Sequence, residues 1–167
     1  MVILGLDIST TCVGYAFTEN KKILDMGFID LKKLKTPKEK TFYVLEYLCK
    51  NKHIDKIDKI NIEDNLSGFA GGRTSQQTIV KLAKFNAILG FIIEEEFRVE
   101  VKNINPMTAR KKVFGKARLK GVKSKDYVKM KIEEMYDTSK WNKTTTSGNW
   151  DKRNIDAYDG LVMSLVE

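Results

Sequence analysis

The 167-residue chain is long enough for one domain with a sizeable core, and its 42% hydrophobic and 31% charged residues are the balance of a globular domain. No apolar run approaches the ~18 residues of a membrane span, so we expect a single domain over residues 1–167, without a membrane segment, in an intracellular, cytoplasmic protein. His53 is the only histidine, and Cys12 and Cys49 lie far apart, which excludes multi-histidine zinc sites, disulfide frameworks and most Ser-His-Asp schemes. Catalysis would have to use carboxylates, lysines or hydroxyls.

The predicted elements follow an α/β order. Strands are predicted where apolar β-branched residues cluster or alternate, over residues 2–8, 13–18, 23–30, 59–63 and 98–102. Helices are predicted where apolar residues recur every three to four positions, over residues 37–50, 75–95, 106–113, 124–136 and 152–166. Three loops are predicted, namely residues 64–73, the basic stretch 114–122 and a polar, mobile stretch 137–151. This order predicts an α/β fold with a mixed sheet.

The net charge of +8 is concentrated in one segment. Residues 102–131 contain eleven basic residues and one acid, a local charge of +10, which leaves 19 basic and 21 acidic residues, or −2, elsewhere. A surface that meets phosphate backbones is expected to carry such a concentration of charge. A solvated face that only keeps the protein soluble would have the same composition.

Asp7 is the first candidate site residue. It lies in the apolar strand predicted at residues 2–8, where a lone carboxylate costs several kcal/mol unless it is paired or bound to a cation. Gly5, one pleat period away, leaves room beside it. The alternative is an aspartate that ends the strand and caps the turn at residues 9–11.

Three more carboxylates come from other elements. Glu63 ends the fourth predicted strand and points the same way as Asn61. The alternative is an exposed acid at the strand end, and Asp64 is the rival for any metal role. Successive residues of a helix are rotated by about 100° around its axis. Measured from Ile155, Asp159 lies near 40°, inside the apolar face of the last helix, and Asp156 lies near 100°, at the edge of that face. The alternative for this pair is a salt bridge to Arg153 or to a lysine.

Four carboxylates from separate elements point to one metal site. Hard cations such as Mg²⁺ and Mn²⁺ prefer oxygen ligands. Two such ions about 4 Å apart can activate water and stabilise the leaving oxygen in phosphodiester cleavage, which needs no histidine. This chemistry would explain how a basic protein could use a cluster of acids.

Three motifs resemble a known family. The sequence GLDIS at residues 5–9, with GYA at 14–16, resembles the opening motif of the RuvC family of Holliday-junction resolvases. IE at 62–63, before a glycine-containing loop and a long helix, resembles their second motif, and DAYDG at 156–160 resembles their closing Asp-x-x-Asp. Each motif is weak alone, but the order, spacing and length all fit.

The resemblance implies a phage- or bacterium-encoded endodeoxyribonuclease with an RNase H-like mixed sheet flanked by helices. It implies two Mg²⁺ or Mn²⁺ ions held by Asp7, Glu63, Asp156 and Asp159, and a homodimer that nicks two strands of a four-way DNA junction symmetrically. Two features depart from the family: Gly160 stands where alanine is usual, and residues 137–151 have no counterpart. Small phage-borne relatives often accept a broader range of branched DNA.

Residues outside the acidic set are candidates for DNA contact. The loop at 65–73 follows Glu63 directly, so Phe69 could wedge against or stack on a base at the junction, or simply pack on the protein, and Arg73 could contact a phosphate. The densest basic stretch supplies five more candidates, Lys116, Arg118, Lys120, Lys123 and Lys125. The resemblance also implies that Lys125 approaches the scissile phosphate, whereas any single one of them could be a solvated side chain.

Three other functions fit parts of the sequence. The GLDISTT stretch also resembles the phosphate loop of actin-like sugar kinases, but those proteins need two similar domains. A short RuvC-like nuclease that processes ribosomal RNA would share the fold, usually on a shorter chain without the basic insertion. A structure-selective DNA-binding module that does not cut would be expected to have lost an acid, and all four are present.

Overall fold

The computed structural model describes residues 1–64 and 76–167, in one five-stranded sheet flanked by helices. The strands are β1 (Val2–Ile8), β2 (Cys12–Glu19), β3 (Lys22–Asp30), β4 (Ile57–Glu63) and β5 (Val101–Ile104). The helices are α1 (Pro37–Cys49), α2 (Gln76–Phe97), α3 (Pro106–Phe114), α4 (Ser124–Met135) and α5 (Asn154–Ser164), with a 3₁₀ turn at Ile54–Lys56. No helix in these two ranges is long and apolar enough to cross a membrane.

The sheet is mixed, with the order β3-β2-β1-β4-β5. β1, β2 and β3 form the antiparallel meander, whereas β4 pairs parallel to β1 and β5 parallel to β4. The central strand β1 therefore has β2 on one side and β4 on the other. The predicted α/β fold with a mixed sheet is confirmed.

Strand alternation divides the core into two layers. On β1, Leu4, Leu6 and Ile8 join the layer that includes residues of α1 and α2, as do Ile60 and Ile62 of β4. The second layer is built mainly from residues of α3, α4 and α5. Since successive side chains point to opposite faces, the odd-numbered positions of β1 and β4 face this second layer.

Helix α5 lies directly on β1 and β2 because both strands have a glycine beneath it. A Cβ on Gly5 would lie 2.1 Å from the Gly160 carbonyl oxygen, and one on Gly14 only 1.8 Å from that of Asp156. Gly5 therefore makes room for the backbone of α5, and the nearest atoms to a Cβ there belong to this helix and not to a carboxylate. An alanine at position 160 would approach the Gly14 backbone to 3.0 Å, which explains why glycine suits this chain at that position.

Two predicted details were wrong. α2 continues to Phe97 and ends at Arg98, whose φ of 55° is left-handed, so β5 begins only at Val101 instead of at residue 98. The sequence also predicts that Phe85, Phe91 and Ile92 lie away from the core stripe of this helix, on an outer face that would form the dimer contact. Phe85 is instead only 1% exposed. It lies four residues before the buried Leu89 and belongs to the same stripe, which a helical period of 3.6 allows.

The segment at residues 137–151 packs against the body of the protein, contrary to its prediction as a mobile loop. Asn154 at the start of α5 exchanges two hydrogen bonds with the backbone of Lys143, at 2.8 and 3.0 Å. The hydroxyls of Thr138 and Tyr158 are 2.7 Å apart, and Thr138 is buried. The segment also closes on itself through a β-bridge between Thr144 and Trp150.

Candidate functional site

Asp7 and Glu63 come from adjacent parallel strands. The register pairs Leu6 with Ile62, so the next residues, Asp7 and Glu63, both lie at the carboxyl ends of their strands. Both belong to the strand face that α5 covers, as the two-residue alternation predicts. Ser9, and not Asp7, caps the following turn, since its hydroxyl accepts a hydrogen bond from the Cys12 amide at 3.1 Å.

Asp159 and Asp156 come from α5. Asp159 is 3% exposed, inside the face that packs on the sheet, whereas the Asp156 side chain is 17% exposed at the edge of that face. The glycines beneath α5 allow the helix to bring these two carboxylates down onto the end of β1. The predicted position of Asp159 inside the apolar face of α5, with Asp156 at the edge of that face, is therefore confirmed.

Three of the four predicted carboxylates form a close cluster. One oxygen from each of Asp7, Glu63 and Asp159 lies within 4.8 Å of the other two. Asp156 stands beside them, and its Oδ1 accepts a hydrogen bond from Lys125 Nζ at 3.0 Å. The lysine alternative weighed for Asp156 is thus present, while Arg153 pairs instead with Asp151 and Asp30.

Burial, together with the repulsion between these side chains, raises the pKa values of the three clustered carboxylates. Burial, and then the charges of Glu63, Asp159 and Asp156, raise the pKa of Asp7 well above its usual range. Burial and the charge of Asp159 raise the pKa of Glu63 to about 7. The negative charge of the cluster is therefore costly to hold without cations.

Two basic side chains partly neutralise the negative charge of these carboxylates. Arg110 of α3 is buried and donates from Nη2 to Asp159 Oδ1 at 3.0 Å, and from Nη1 to the Ser124 hydroxyl. Burial nevertheless raises the pKa of Asp159, although Arg110 works against it. Burial also opposes the charge on Lys125, but Asp156, followed by Asp159 and Asp7, raises its pKa, so Lys125 remains an ammonium.

The cluster fits a divalent metal ion. Glu63 Oε2 is buried and has no hydrogen-bond partner in the part of the chain that the structure describes. A buried carboxylate oxygen without a donor lacks the stabilisation that a cation would provide. Oxygen ligands alone, from Asp7, Glu63 and Asp159, suit Mg²⁺ or Mn²⁺ better than Zn²⁺.

Comparison with known proteins identifies the fold. No protein-family model matches the chain, and no curated protein matches its sequence. The structure of Thermus thermophilus RuvC matches with a TM-score of 0.64 at 14% identity, over 99% of this chain and 92% of that one. T. thermophilus RuvC in complex with Holliday junction substrate also matches with a TM-score of 0.64, at 12% identity, over 99% and 90%. The chain has the RuvC fold.

Within this RuvC fold, the predicted DNA-contacting residues of the basic stretch lie on the surface. Lys116, Arg118, Lys120 and Lys123 are exposed in the connection between α3 and α4, which the Tyr127 hydroxyl holds by donating to the Lys116 carbonyl at 3.0 Å. Lys125 lies in the first turn of α4 and contacts Asp156 beside the acidic cluster. Phe69 and Arg73 fall outside the described residues, and their roles stay predictions.

Pairing reduces the charge that the basic segment offers to a ligand. Five of its eleven basic residues have carboxylate partners, namely Lys102, Arg110, Lys125, Lys129 and Lys131. Within residues 1–64 and 76–167, the other six form no ion pair, namely Lys111, Lys112, Lys116, Arg118, Lys120 and Lys123. The unpaired positive charge of the basic segment therefore lies on α3 and on the connection that follows it.

Arg110 is the site residue that the sequence did not reveal. It was counted with the basic residues expected to meet phosphate, yet it is buried and bound to Asp159. One signal was available, because Ala109 and Arg110 share the short helix after β5 with Val113 on the apolar side. A buried arginine requires an acidic partner, but only the fold shows which one.

Proposed function

We propose that the chain is a divalent-metal-dependent endonuclease of the crossover junction resolvase type, which cleaves branched DNA and most readily four-way junctions. The observation that carries this proposal is the cluster of Asp7, Glu63 and Asp159 at the carboxyl ends of β1 and β4, in a fold shared with RuvC. A RuvC of this fold has been solved in complex with Holliday junction substrate, which supports the choice of DNA.

In this proposal, Asp7, Glu63, Asp156 and Asp159 hold two Mg²⁺ or Mn²⁺ ions. Bound ions would supply charge neutralisation at the phosphate and a water of lowered pKa. The protein's own part is to hold the carboxylates in place: Arg110 fixes the orientation of Asp159, and the backbone of β1 and β4 fixes Asp7 and Glu63. Lys125, an ammonium beside Asp156, can pair with an entering phosphate once this carboxylate turns to a cation.

A cleavage assay tests the proposal. Purified protein is incubated with a four-way junction, a linear duplex, a single strand and a structured RNA, with and without Mg²⁺ or Mn²⁺. We expect metal-dependent nicking of the junction in preference to the other substrates. Cleavage of the RNA alone would favour an RNA-processing nuclease, and junction binding without cleavage under either metal would favour a non-cutting DNA-binding module.

The exposed basic connection is expected to dominate the salt dependence of DNA binding. Replacing Lys116, Arg118 and Lys120 together by glutamine should flatten the slope of log affinity against log salt by up to about three phosphate equivalents. The measurement is junction binding by anisotropy over a series of salt concentrations.

A second triple variant provides the control for charge alone. Lys22, Lys52 and Lys56 are also exposed, but they lie near the starts of β3 and β4, at the end of the strands opposite to Asp7. Their replacement by glutamine should leave the slope within about one equivalent of the wild-type value. Equal slopes for both triple variants would assign the DNA surface to another part of the molecule.

We further propose that the active form is a two-fold homodimer, since one acidic cluster per chain is one cutting site and a junction has two equivalent strands. The outer face of α2 is the proposed contact, because Val80, Ile88 and Phe91 are 50%, 42% and 68% exposed there. Exposed apolar side chains grouped on one helix face mark contact surfaces.

Phe91→Glu is expected to convert the dimer into a monomer in light scattering, because the charge would have to be buried in the contact. Met130→Glu on α4 is the matched control, since Met130 is 44% exposed on a different helix and should leave the dimer intact. A wild-type protein that stays monomeric with and without junction DNA would overturn the dimer.

A further inference from the structure

A concave pocket lies immediately beside the acidic cluster. It has a volume of about 380 Å³ and is lined by Lys125, Asp126 and Lys129 of α4 and by Trp150, Lys152 and Ile155. Volumes of about 300–1,000 Å³ are typical of sites for small organic ligands. The segment at residues 137–151, which the sequence left without a role, supplies Trp150 to this pocket.

One wall of the pocket is apolar and held in place from behind. The Trp150 ring packs against the Tyr158 ring with centroids 6.2 Å apart, and the Tyr158 hydroxyl donates to Asn142 Oδ1 at 3.1 Å. The bridge between Trp150 and Thr144 fixes the backbone at the same point. Ile155, only 8% exposed, continues the apolar surface at the start of α5.

The rim of the pocket carries three lysines, Lys125, Lys129 and Lys152, and one acid, Asp126. Lys125 and Lys129 pair with carboxylates outside the lining, so Lys152 is the lining lysine that has no ion pair among the described residues. Lys129 Nζ lies 4.2 Å from the centroid of the Trp150 ring, which places an ammonium against the aromatic wall. Lysines beside an aromatic and aliphatic wall match a ligand that combines a flat apolar group with an anion, as a nucleotide does.

Lys125 connects the pocket to the acidic cluster. Its side chain lines the pocket, and its Nζ lies 3.0 Å from Asp156 Oδ1. A strand with its phosphate at the cluster would therefore have a neighbouring nucleotide within reach of the pocket. A free mononucleotide could make the same contacts with the pocket, but it would not be linked to a phosphate at the acidic cluster.

We propose that the pocket binds one unpaired nucleotide of the DNA strand next to the phosphate that is cut, with its base against Trp150 and Ile155 and its phosphate against Lys152 and Lys129. The identification of the ligand as part of a DNA strand rests on the proposed function. The match of a flat base and a phosphate to the pocket rests on the lining residues alone. In this proposal, residues 137–151 help the protein to select DNA in which the base next to the cut phosphate is unpaired and unstacked.

Tryptophan fluorescence tests the pocket without cleavage. In a Trp141→Phe variant, Trp150 is the single tryptophan, and its emission is titrated with a thymidine tetranucleotide, an abasic tetranucleotide, thymidine monophosphate and inorganic phosphate. We expect the tetranucleotide to quench most strongly and at the lowest concentration, and phosphate and the abasic strand to leave the emission unchanged. Equal quenching by phosphate or by the abasic strand would reduce the pocket to an anion site and overturn the proposal, as would tighter binding of the mononucleotide.

A labelled tetranucleotide followed by anisotropy gives a second measurement that does not need the Trp141 change. Trp150→Leu is expected to weaken binding roughly tenfold, as the loss of one stacked base does, and Lys152→Gln to lower the salt slope by about one phosphate equivalent. Lys140→Gln is the matched control, because Lys140 lies in the same segment with its Nζ 4.9 Å from the Trp141 ring, away from the pocket. Equal affinity of all three variants would overturn the proposal.

The two proposals fail separately. Junction cleavage by a protein whose Trp150 emission ignores the tetranucleotide would overturn the pocket and leave the nuclease in place. Quenching by the tetranucleotide in a protein that cuts no junction under any metal would keep the nucleotide site and overturn the nuclease.

Discussion

Asp7→Asn is expected to abolish junction cleavage and, at the same time, to stabilise the metal-free protein. Loss of cleavage should be about 10³-fold or more, as when one member of a catalytic unit is removed. Stabilisation follows from the raised pKa of Asp7, since ionising this group costs more in the folded chain than in the unfolded one. The stability of the metal-free protein should therefore fall as pH rises from about 4, the unfolded value, through the raised pKa, and the asparagine removes that loss.

The measurement is the melting temperature at pH 8, with a chelator and with Mg²⁺. Without metal, the variant should melt several degrees above the wild type, since about 1 kcal/mol shifts a protein of 150–250 residues by about 2–4 °C. Addition of Mg²⁺ should raise the wild type more than the variant, because a ligand has been lost.

Asp55→Asn provides the matched control. Asp55 is an exposed acid before the start of β4, at the end of the strands opposite to Asp7, so the same change of charge should leave cleavage, melting temperature and metal response unchanged. Wild-type cleavage by Asp7→Asn would sink the metal-site assignment, and a lower metal-free melting temperature would show that Asp7 has a structural role.

Much of the acidic cluster could be predicted because its members follow local periodicities. Asp7 and Glu63 end apolar strands at positions that a two-residue alternation assigns to one face. Asp159 follows from the helical period, which put it among the apolar residues of the last helix. Both periodicities depend only on neighbouring residues in the chain, and the positions that they predict agree with the structure.

The partners of these carboxylates could not be predicted, because they depend on pairings between distant elements. Arg110 and Asp159 are 49 residues apart, and Lys125 and Asp156 are 31 apart. In the sequence both bases belong to the run of positive charge, and nothing local separates a lysine that meets phosphate from one that meets an aspartate. The role of Gly14 is equally non-local, since only the position of α5 shows that a Cβ there would overlap the Asp156 carbonyl.

Packing of residues 137–151 is the other feature that composition concealed. Threonine, serine and glycine are typical of mobile loops, and they dominate this stretch. A few contacts nevertheless hold the segment against the protein, because Thr138 is buried and Asn154 forms two hydrogen bonds with the Lys143 backbone. A loop is held by a small number of satisfied polar groups, which average composition does not reveal.

Arg110→Met is expected to produce the largest loss of stability of any single change at the site. The Arg110 and Asp159 side chains are 9% and 5% exposed, so removing the guanidinium leaves a carboxylate buried and unpaired. Such a change costs about 3–5 kcal/mol, whereas replacing both partners by neutral groups is close to neutral. The Arg110→Met, Asp159→Asn double variant should therefore recover most of the stability that the single variant loses, which urea unfolding of the full cycle at pH 8 measures.

Metal dependence separates a positioning role of Arg110 from a purely structural one. In Arg110→Met the acidic cluster has lost its main counter-charge, so Mg²⁺ should raise the melting temperature more than it does in the wild type. Arg110→Lys keeps the charge but not the fork that reaches both Asp159 and Ser124, and it should fold while cutting about 10- to 100-fold more slowly.

Arg153→Met is the matched control for this pair of variants, because Arg153 also pairs with a buried aspartate, Asp151, which is not a member of the acidic cluster. It should lower stability and leave both the Mg²⁺ response and the rate per folded molecule as they are in the wild type. Equal losses of stability and equal Mg²⁺ responses in Arg110→Met and Arg153→Met would show that Arg110 only forms a structural ion pair. The orientation of Asp159 would then have to come from the packing of α5 on β1 and β2 alone.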